Sequence, residues 1–244
     1  MNDAAALQEV LAAFALLDGS KLLVHGGGRH ATALAKQLGV SPKMVDGRRI
    51  TDAAMLEIAV MSYAGLSNKK IVSQLQKQGV NAVGLTGADG NCIEAVKRPV
   101  VTIDYGFAGD ITQVNTAVFS SLMTQDFVPV LCAITHDKKG QLLNTNADTI
   151  AAQVATAMSA EYDVTLFYCF EHAGVLKDIN NPNEVIGLLS KEETDALIVQ
   201  GIIHQGMVPK LHNGFDALQN GVKKVVISNV AALLDTNAPK TILI

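Results

Sequence analysis

Short apolar segments alternate with stretches of helical periodicity along the whole chain. Such segments, bounded by turn residues, predict buried strands. The predicted strands are Lys21–His25, Ala82–Leu85, Val128–Ile134, Val164–Tyr168, Val225–Ile227 and Thr241–Ile244. The alternation is typical of an α/β fold, with a mostly parallel central sheet and helices on both faces in a three-layer sandwich.

Helical periodicity begins at the first residues, where Leu7, Leu11 and Phe14 share one stripe behind a cap at Asn2 or Asp3. The other predicted helices run from the glycines after His25 to about Leu38, from Thr51-Asp52 past Tyr63, from Asn68 past Leu75, from Asn146 or Asp148 to about Met158, over Lys191–Val199 and over Pro209–Gln219. The polar run between Thr135 and Leu143 predicts a small hairpin or loop.

The chain of 244 residues contains no repeat and no linker-like tract. We predict a single domain with an N-terminal lobe, about residues 1–140, and a C-terminal lobe, about 141–244. The change of lobe is expected near Asp137 to Asn144.

The amino-acid composition argues against several classes of function. The net charge of −4 and the aromatic content of 5% without tryptophan argue against a nucleic-acid partner. Cys92, Cys132 and Cys169 are scattered, which indicates reduced thiols and no zinc site. No apolar run is long enough to span a bilayer and the start does not read as a signal peptide, so a cytoplasmic protein is expected.

Three consecutive glycines, Gly26 to Gly28, follow a predicted strand and precede a helix. Glycine lets the backbone approach a ligand, and a helix N-terminus favours an anion. A tight strand-to-helix turn explains the same pattern. Neither a Walker loop nor a dinucleotide fingerprint is present, so a dehydrogenase ranks low.

Three further motifs carry polar or charged side chains. Arg48-Arg49 lies in a glycine-bearing loop, where arginine can grip a carboxylate, although a solvated basic pair is the commoner case. Asn144 to Asp148 places several polar groups at one helix start, only part of which capping explains. Lys210 lies in a first helical turn, where the helix dipole disfavours a cation; a surface lysine is the alternative.

From Lys21 onward the chain resembles the acetylglutamate kinases of the amino-acid kinase superfamily. The similarity spans nearly the whole chain in collinear order. The matching motifs are VHGGG at 24–28, DGRRITD at 46–52, NAVGLTGADG at 81–90, DYGFAGDI at 104–111, LNTNAD at 143–148 and GMVPKL at 206–211.

The resemblance implies ATP-dependent phosphorylation of the side-chain carboxylate of N-acetyl-L-glutamate, in arginine biosynthesis. It implies ATP and Mg²⁺ as cofactors, the metal bound mainly by phosphates and water, and a homodimer. No membrane partner is expected.

The resemblance also assigns residue roles. Lys210 would stabilise charge in the transition state and Asp148 would orient the phosphate-binding lysines. The implied substrate-binding residues are Gly27, Gly28, Arg49, Asn144 and Asn146. The implied nucleotide-binding residues are Gly174, Val175, Leu176 and Met207.

Two departures from the family pattern stand out. The family begins with a strand that carries a lysine and two glycines, and this sequence begins after that place. Either this segment precedes the first residue of this sequence or the protein lacks it. If it is lacking, loss of one such cation costs about 10²-fold in rate, and we then expect low or no turnover. In addition, Tyr168 to His172 replaces the usual acidic stretch before Gly174, with Glu171 as the substitute acid.

Two alternatives remain open at this point. One is a sibling kinase that acts on N-succinylglutamate or another amino-acid carboxylate. The other is a catalytically silent ligand-binding homologue that lacks the first-strand lysine.

Overall fold

A computed structural model describes residues 4–45, 48–178, 181–203 and 206–244. The chain divides into two compact units, one reaching Ile150 and the other beginning at Ala151. We call them the N-terminal and the C-terminal unit. No helix in the described ranges is long and apolar enough to cross a membrane.

The N-terminal unit contains most of the helices. They are α1 Ala4–Ala15, α2 Gly28–Gln37, α3 Ala53–Val60, α4 Asn68–Lys77, α5 Thr116–Thr124 and α6 Ala147–Met158, the last of which continues into the C-terminal unit. Its strands are β1 Leu23–His25, β2 Lys43–Val45, β3 Arg48–Ile50, β4 Ala82–Leu85, β5 Ile93–Lys97, β6 Gly109–Val114, β7 Val128–Cys132, β8 Ile134–His136 and β9 Leu142–Asn144.

A parallel sheet in the order β1-β7-β4 forms the centre of this unit, with Leu23 opposite Val130 and Ala82 opposite Val128. Helix α1 packs on α4, which packs on β4 and β7. The stripe predicted on α1 is confirmed, because Leu11 and Phe14 are buried in the core between these elements. The predicted caps Asn2 and Asp3 lie outside the described residues.

Helices α3 and α4 were predicted as separate, but the helical backbone continues between them. The residues from Met61 to Ser67 form a π-helix that joins Val60 to Asn68. Apolar periodicity persists on both sides of this segment, and Gly65 within it does not end the helix. Tyr63 of this segment is buried, at 4% exposure.

A second sheet in the order β6-β5-β8-β9 was only partly anticipated. The single strand predicted over Val128–Ile134 is two strands, because the chain leaves β7 at Cys132 and enters β8 at Ile134 in the other sheet. The predicted hairpin is confirmed as β8–β9, with Asp137 accepting backbone hydrogen bonds in its turn. A separate hairpin joins β2 and β3.

The C-terminal unit contains its own four-stranded sheet. Its elements are β10 Thr165–Cys169, β11 Leu188–Leu189, α7 Lys191–Val199, α8 Val208–Gln219, β12 Lys224–Ser228, α9 Ala231–Leu234 and β13 Thr241–Leu243. The strand order is β10-β12-β13-β11, in which only the β12–β13 pair is antiparallel. Leu211 and Phe215 of α8 are buried in the core on this sheet, so the α/β class predicted from the sequence is confirmed in both units.

Candidate active site

The glycine loop, Gly26 to Gly28, joins β1 to α2 at the carboxyl end of the parallel sheet. Gly27 precedes the first helical residue and its carbonyl oxygen accepts from the N–H of Ala31 at 3.0 Å. A Cβ atom built on Gly27 would lie 2.4 Å from Cδ1 of Tyr63. The loop therefore lies directly against an aromatic ring and leaves no room for a side chain.

The start of α2 has the chemistry of an anion site. No side chain caps it, so the first N–H groups of the helix lack intrahelical partners. These N–H groups and the helix dipole favour a negatively charged ligand. Anion binding by this loop stays a prediction, and the uncapped helix start is compatible with it.

Arg49, on β3, lies against the first turn of α2. Its Nη2 donates to the carbonyl oxygen of Gly28 at 2.9 Å and to Oγ1 of Thr32 at 2.8 Å, while Nη1 lies 3.8 Å from the sulfur of Met55. The guanidinium is half-buried. One of its nitrogens is thus occupied by the loop, and the group brings a fixed positive charge to the N-terminus of α2.

Tyr63 contacts both the loop and this charge. Burial raises the pKa of the Tyr63 phenol, while the nearby Arg49 guanidinium, which is hydrogen-bonded to it, opposes the increase. The phenol therefore remains neutral and acts as a wall of the loop and a partner of Arg49.

Asn144, the last residue of β9, is tied to the β3–α3 junction. Its Nδ2 donates to Oγ1 of the buried Thr51 at 2.9 Å, and its backbone N–H donates to the carbonyl oxygen of Phe107. Because Thr51 lies two residues after Arg49, Asn144 and Arg49 are connected through a short rigid segment. Asp46 and Gly47 of the same sequence motif lie outside the described residues.

Asn146 and Asp148 lie at the start of α6. Oδ1 of Asn146 accepts from the backbone N–H of Thr149 at 3.0 Å, so Asn146 is the residue that caps the helix. Asp148 lies in the first turn and is half-buried. A Cβ atom on Gly26 would lie 3.7 Å from Cβ of Ala147, which places this helix start beside the glycine loop. The start of α6 and the glycine loop are therefore neighbours in the N-terminal unit.

In the C-terminal unit, a sharp turn occurs at Gly174, whose φ of +154° disfavours any side chain. A Cβ there would lie 2.5 Å from Cγ1 of Val185 and 2.7 Å from Oγ1 of Thr241. We call residues 173–176 the Gly174 turn.

The backbone of Val175 within this turn is fully engaged, since its N–H donates to Oγ1 of Thr241 and its carbonyl oxygen accepts from Ile186. The side chains of Val175 and Leu176 are buried in the core. Val175 and Leu176 therefore expose little surface that a nucleotide could contact.

Met207 and Lys210 belong to α8 of the same unit. Met207 precedes the helix and packs on the core with its side chain half-buried. Lys210 lies in the first turn, after Pro209, as predicted. The lysine is half-buried, which fits a lysine directed at a ligand and also one whose stem packs on the surface while its ammonium group is solvated.

Sequence reasoning missed Tyr63, Asn68 and Thr51 as contributors to the site. Tyr63 was assigned to an apolar stripe and Asn68 to a helix start. A signal was present in Asn68, which is a polar residue at a position that helical periodicity places against the sheet. Its side chain bonds to His25, immediately before the loop, at 3.1 Å.

Solved structures of similar shape share this fold at low identity. N-acetylglutamate synthase from Neisseria gonorrhoeae gives a TM-score of 0.80 at 23% identity, over 99% of this chain and 56% of that one. Carbamate kinase from Giardia lamblia gives 0.65 at 16% identity, over 100% and 93%. The fold, with its glycine loop between a parallel strand and a helix, is that of the amino-acid kinases.

Residues 1–229 match the amino acid kinase family. The acetylglutamate kinase of Phocaeicola vulgatus is 53% identical over 96% of this chain and 91% of its own length, and that of Bacteroides thetaiotaomicron is 50% identical over 98% and 93%. The chain belongs to the amino acid kinase family and, within it, groups with the acetylglutamate kinases. The resemblance to acetylglutamate kinases that the six sequence motifs indicated is confirmed.

Proposed function

We propose that this protein transfers the γ-phosphoryl group of ATP to the side-chain carboxylate of N-acetyl-L-glutamate, forming an acyl phosphate for arginine biosynthesis. The relatives that are about half identical over almost the whole chain carry the name acetylglutamate kinase. The single structural observation that carries the proposal is the half-buried guanidinium of Arg49, bonded to the glycine loop at an uncapped helix start.

The chemistry needs little from the protein beyond positioning and charge. A carboxylate is already ionised at neutral pH, so the acceptor needs no general base. Its oxygen attacks the γ-phosphorus, the bond to the leaving oxygen of ADP breaks, and ADP carries away the electron pair. What remains for the protein is to hold two anions in line and offset the charge that they share.

The N-terminal unit is suited to the acceptor. Arg49 offers its fixed positive charge and the N–H groups that do not bond to the loop to the α-carboxylate, as a charge-assisted hydrogen bond. The N–H groups of Gly27 and Gly28 meet the reacting carboxylate and the transferred phosphoryl group. Asn144 and Asn146 contact the acylated amino acid.

The C-terminal unit is suited to the nucleotide. Gly174, Val175, Leu176 and Met207 border the nucleotide, and Lys210 donates to the transferred phosphoryl group, where charge develops. For Asp148 we keep the role that the family resemblance implies, which is to orient phosphate-binding lysines.

Mg²⁺ enters with ATP. Among the described residues no three His, Cys, Asp or Glu side chains are grouped as ligands for a metal. Phosphate oxygens and water would therefore supply most of the magnesium ligands, as is usual for this ion in kinases.

A cytoplasmic homodimer completes the proposal. The three cysteines are unpaired, as expected for a reducing compartment. Light scattering on the purified protein tests the dimer, since a monomer mass at all concentrations contradicts it.

The reaction is tested by trapping the acyl phosphate with hydroxylamine while the acceptor is varied. We expect product from N-acetyl-L-glutamate, and less from N-succinylglutamate and from aspartate. Lys210→Ala should reduce the rate by about 10²-fold, whereas Lys191→Ala, an exposed residue at the start of α7, serves as the matched control. A higher rate with either of the other acceptors would reassign the substrate.

A further inference from the structure

His25 lies between the glycine loop and α4, in contact with both. Its Nδ1 is 2.7 Å from the carbonyl oxygen of Gly26, and its Nε2 is 3.1 Å from Nδ2 of Asn68. Asn68 is 1% exposed. A partly buried imidazole thus links the loop to a buried amide.

The partners fix where the proton of this imidazole lies. The Gly26 carbonyl can only accept, so Nδ1 must carry a hydrogen. The amide of Asn68 is oriented by its other bonds, because Nδ2 donates to the carbonyl oxygen of Val130 at 2.9 Å and Oδ1 accepts from Nζ of Lys69 at 3.1 Å. Its nitrogen therefore faces Nε2 of His25, which must accept. The ring is neutral, with its hydrogen on Nδ1.

The surroundings support a neutral ring. Burial lowers the pKa of His25, and the bond to the Gly26 carbonyl only partly offsets this. Lys69 is the cation that faces the pair from α4. Cys132, opposite His25 on β7, has a thiol whose pKa burial raises to about 11, so it adds no charge.

The strand β4 leaves space for the side-chain amide of Asn68. A Cβ atom on Gly84 would lie 1.8 Å from Oδ1 of Asn68 and 2.7 Å from Nζ of Lys69. Lys69 also donates to the carbonyl oxygen of Gly84 at 3.1 Å. Glycine at this point of the strand therefore leaves the space that the side chains of Asn68 and Lys69 occupy.

Tyr63 and Asn68 lie on consecutive helical segments and both reach the region of the loop. Tyr63, in the π-helix, packs on Gly27, and Asn68, the first residue of α4, bonds to His25 immediately before the loop. π-Helical segments are frequent at functional sites.

The bond from His25 sets the direction of a catalytic N–H group. The Gly26–Gly27 peptide is trans, and in a planar trans peptide the C=O and N–H bonds point in opposite directions. When the Gly26 carbonyl is held toward His25, the N–H of Gly27 points away from it. We propose that His25 and Asn68 are positioning residues that orient the N–H of Gly27 toward the transferred phosphoryl group.

This proposal rests on the reaction proposed above, and a pair of substitutions at His25 tests its kinetic consequence. The amide nitrogen of His25→Asn can occupy the place of Nδ1 and keep the bond to Gly26. That of His25→Gln reaches the place of Nε2 and loses it. We expect kcat to fall by about 10²-fold in His25→Gln and by much less in His25→Asn, with the KM values of both substrates little changed.

Asn68→Ala should lower kcat in the same way as His25→Gln, while Lys70→Ala, an exposed neighbour on α4, should leave it unchanged. Equal losses in the two His25 variants, or losses that appear in KM alone, would overturn the positioning role. A fall in thermal stability with unchanged kcat would assign these residues to folding alone.

A second measurement uses the unmodified chain, so it needs no substrate and does not depend on whether a variant folds. Two-bond ¹H–¹⁵N spectra of the unmodified chain report which nitrogen of each of its six histidines carries the hydrogen. We expect Nδ1–H for His25 at neutral pH, and the Nε2–H form or an imidazolium would overturn the proposal. Since this result is independent of catalysis, a wrong substrate assignment and a wrong tautomer are distinguished.

Discussion

The glycine loop of the N-terminal unit and the Gly174 turn of the C-terminal unit both require glycine, but for different physical reasons. The φ of Gly27 is near −175°, outside the left-handed region, and glycine is needed there because a tyrosine ring occupies the adjacent space. Gly174 has a φ of +154°, so its backbone itself excludes a side chain.

The polar partners of the two segments differ as well. Side chains that titrate or carry charge, His25 and Arg49, hold the glycine loop through its carbonyl groups. Buried hydroxyl groups hold the Gly174 turn, since Ser228 donates to the Ala173 carbonyl and Thr241 accepts from the Val175 N–H. The first segment therefore leaves N–H groups and a charge for a ligand, whereas the hydrogen bonds of the second also hold the C-terminal unit together. Substitutions should therefore affect activity in the first segment and stability in the second.

The largest effect is expected for Gly174→Ala. Both the positive φ and the clash with Val185 and Thr241 oppose the methyl group, and strain of this kind destabilises by about 3 kcal/mol or more. Gly187→Ala, where nothing lies within 4 Å, is the matched control. Urea denaturation measures both variants, and equal stabilities would contradict the structural role of the turn.

Gly27→Ala should reduce activity more than stability. The methyl group must displace the ring of Tyr63 and, with it, the loop, and a displacement of about 1 Å can cost about 10²-fold in rate. Steady-state kinetics beside a melting curve separate the two effects. Gly65→Ala, in open space on the π-helix, is the control. If Gly27→Ala loses stability but keeps its kcat, the glycine loop has a structural role and does not differ in this respect from the Gly174 turn.

Arg49→Lys should weaken acceptor binding by about tenfold to 10²-fold. A lysine keeps the charge but lacks the separate guanidinium nitrogens that can bond to Gly28 and Thr32 and donate to a carboxylate at the same time. Titration calorimetry with N-acetyl-L-glutamate measures the change, with Arg48→Lys, an exposed neighbour, as control. Unchanged affinity in Arg49→Lys would place the α-carboxylate elsewhere.

The smallest effect concerns pH. The pKa of His25 is lowered on folding, so the unfolded chain binds its proton first as the pH falls through about 6.5. The contribution of His25 to stability is thus complete above that pH and is lost in acid. Melting between about pH 7.5 and 5.5 should show a smaller decrease for His25→Asn than for the unmodified chain. The Asp137 carboxylate, whose pKa is lowered by backbone N–H groups, titrates below this window.

Much of the fold could be predicted because local signals agree with the tertiary structure. The strand Ala82–Leu85 and the helix Lys191–Val199 have the predicted bounds, since each is a periodic or apolar run between polar turns. The strands β5 and β6 were not predicted. Their alternation is weak, and β6 carries polar residues such as Asp110 and Gln113 that pair along its length with β5.

The candidate site could be predicted only where the chemistry is carried by motifs. Arg49 and the glycine loop lie in segments with an unusual local composition, and the structure brings them together. The contributions of Tyr63 and Asn68 depend on the π-helical register, which no propensity rule encodes. Their side chains reach the loop from a helix that sequence periodicity describes only as buried.

In the proposed reaction, fixed charge and helix-start amides let one anion attack another. The decisive experiment gives the protein ATP and N-acetyl-L-glutamate labelled with ¹⁸O in the side-chain carboxylate, and records the ³¹P spectrum. We expect an acyl phosphate signal with the isotope shift of a bridging ¹⁸O, because the acceptor oxygen forms the new bond. An unshifted phosphate signal alone, which shows that water is the nucleophile, would contradict it.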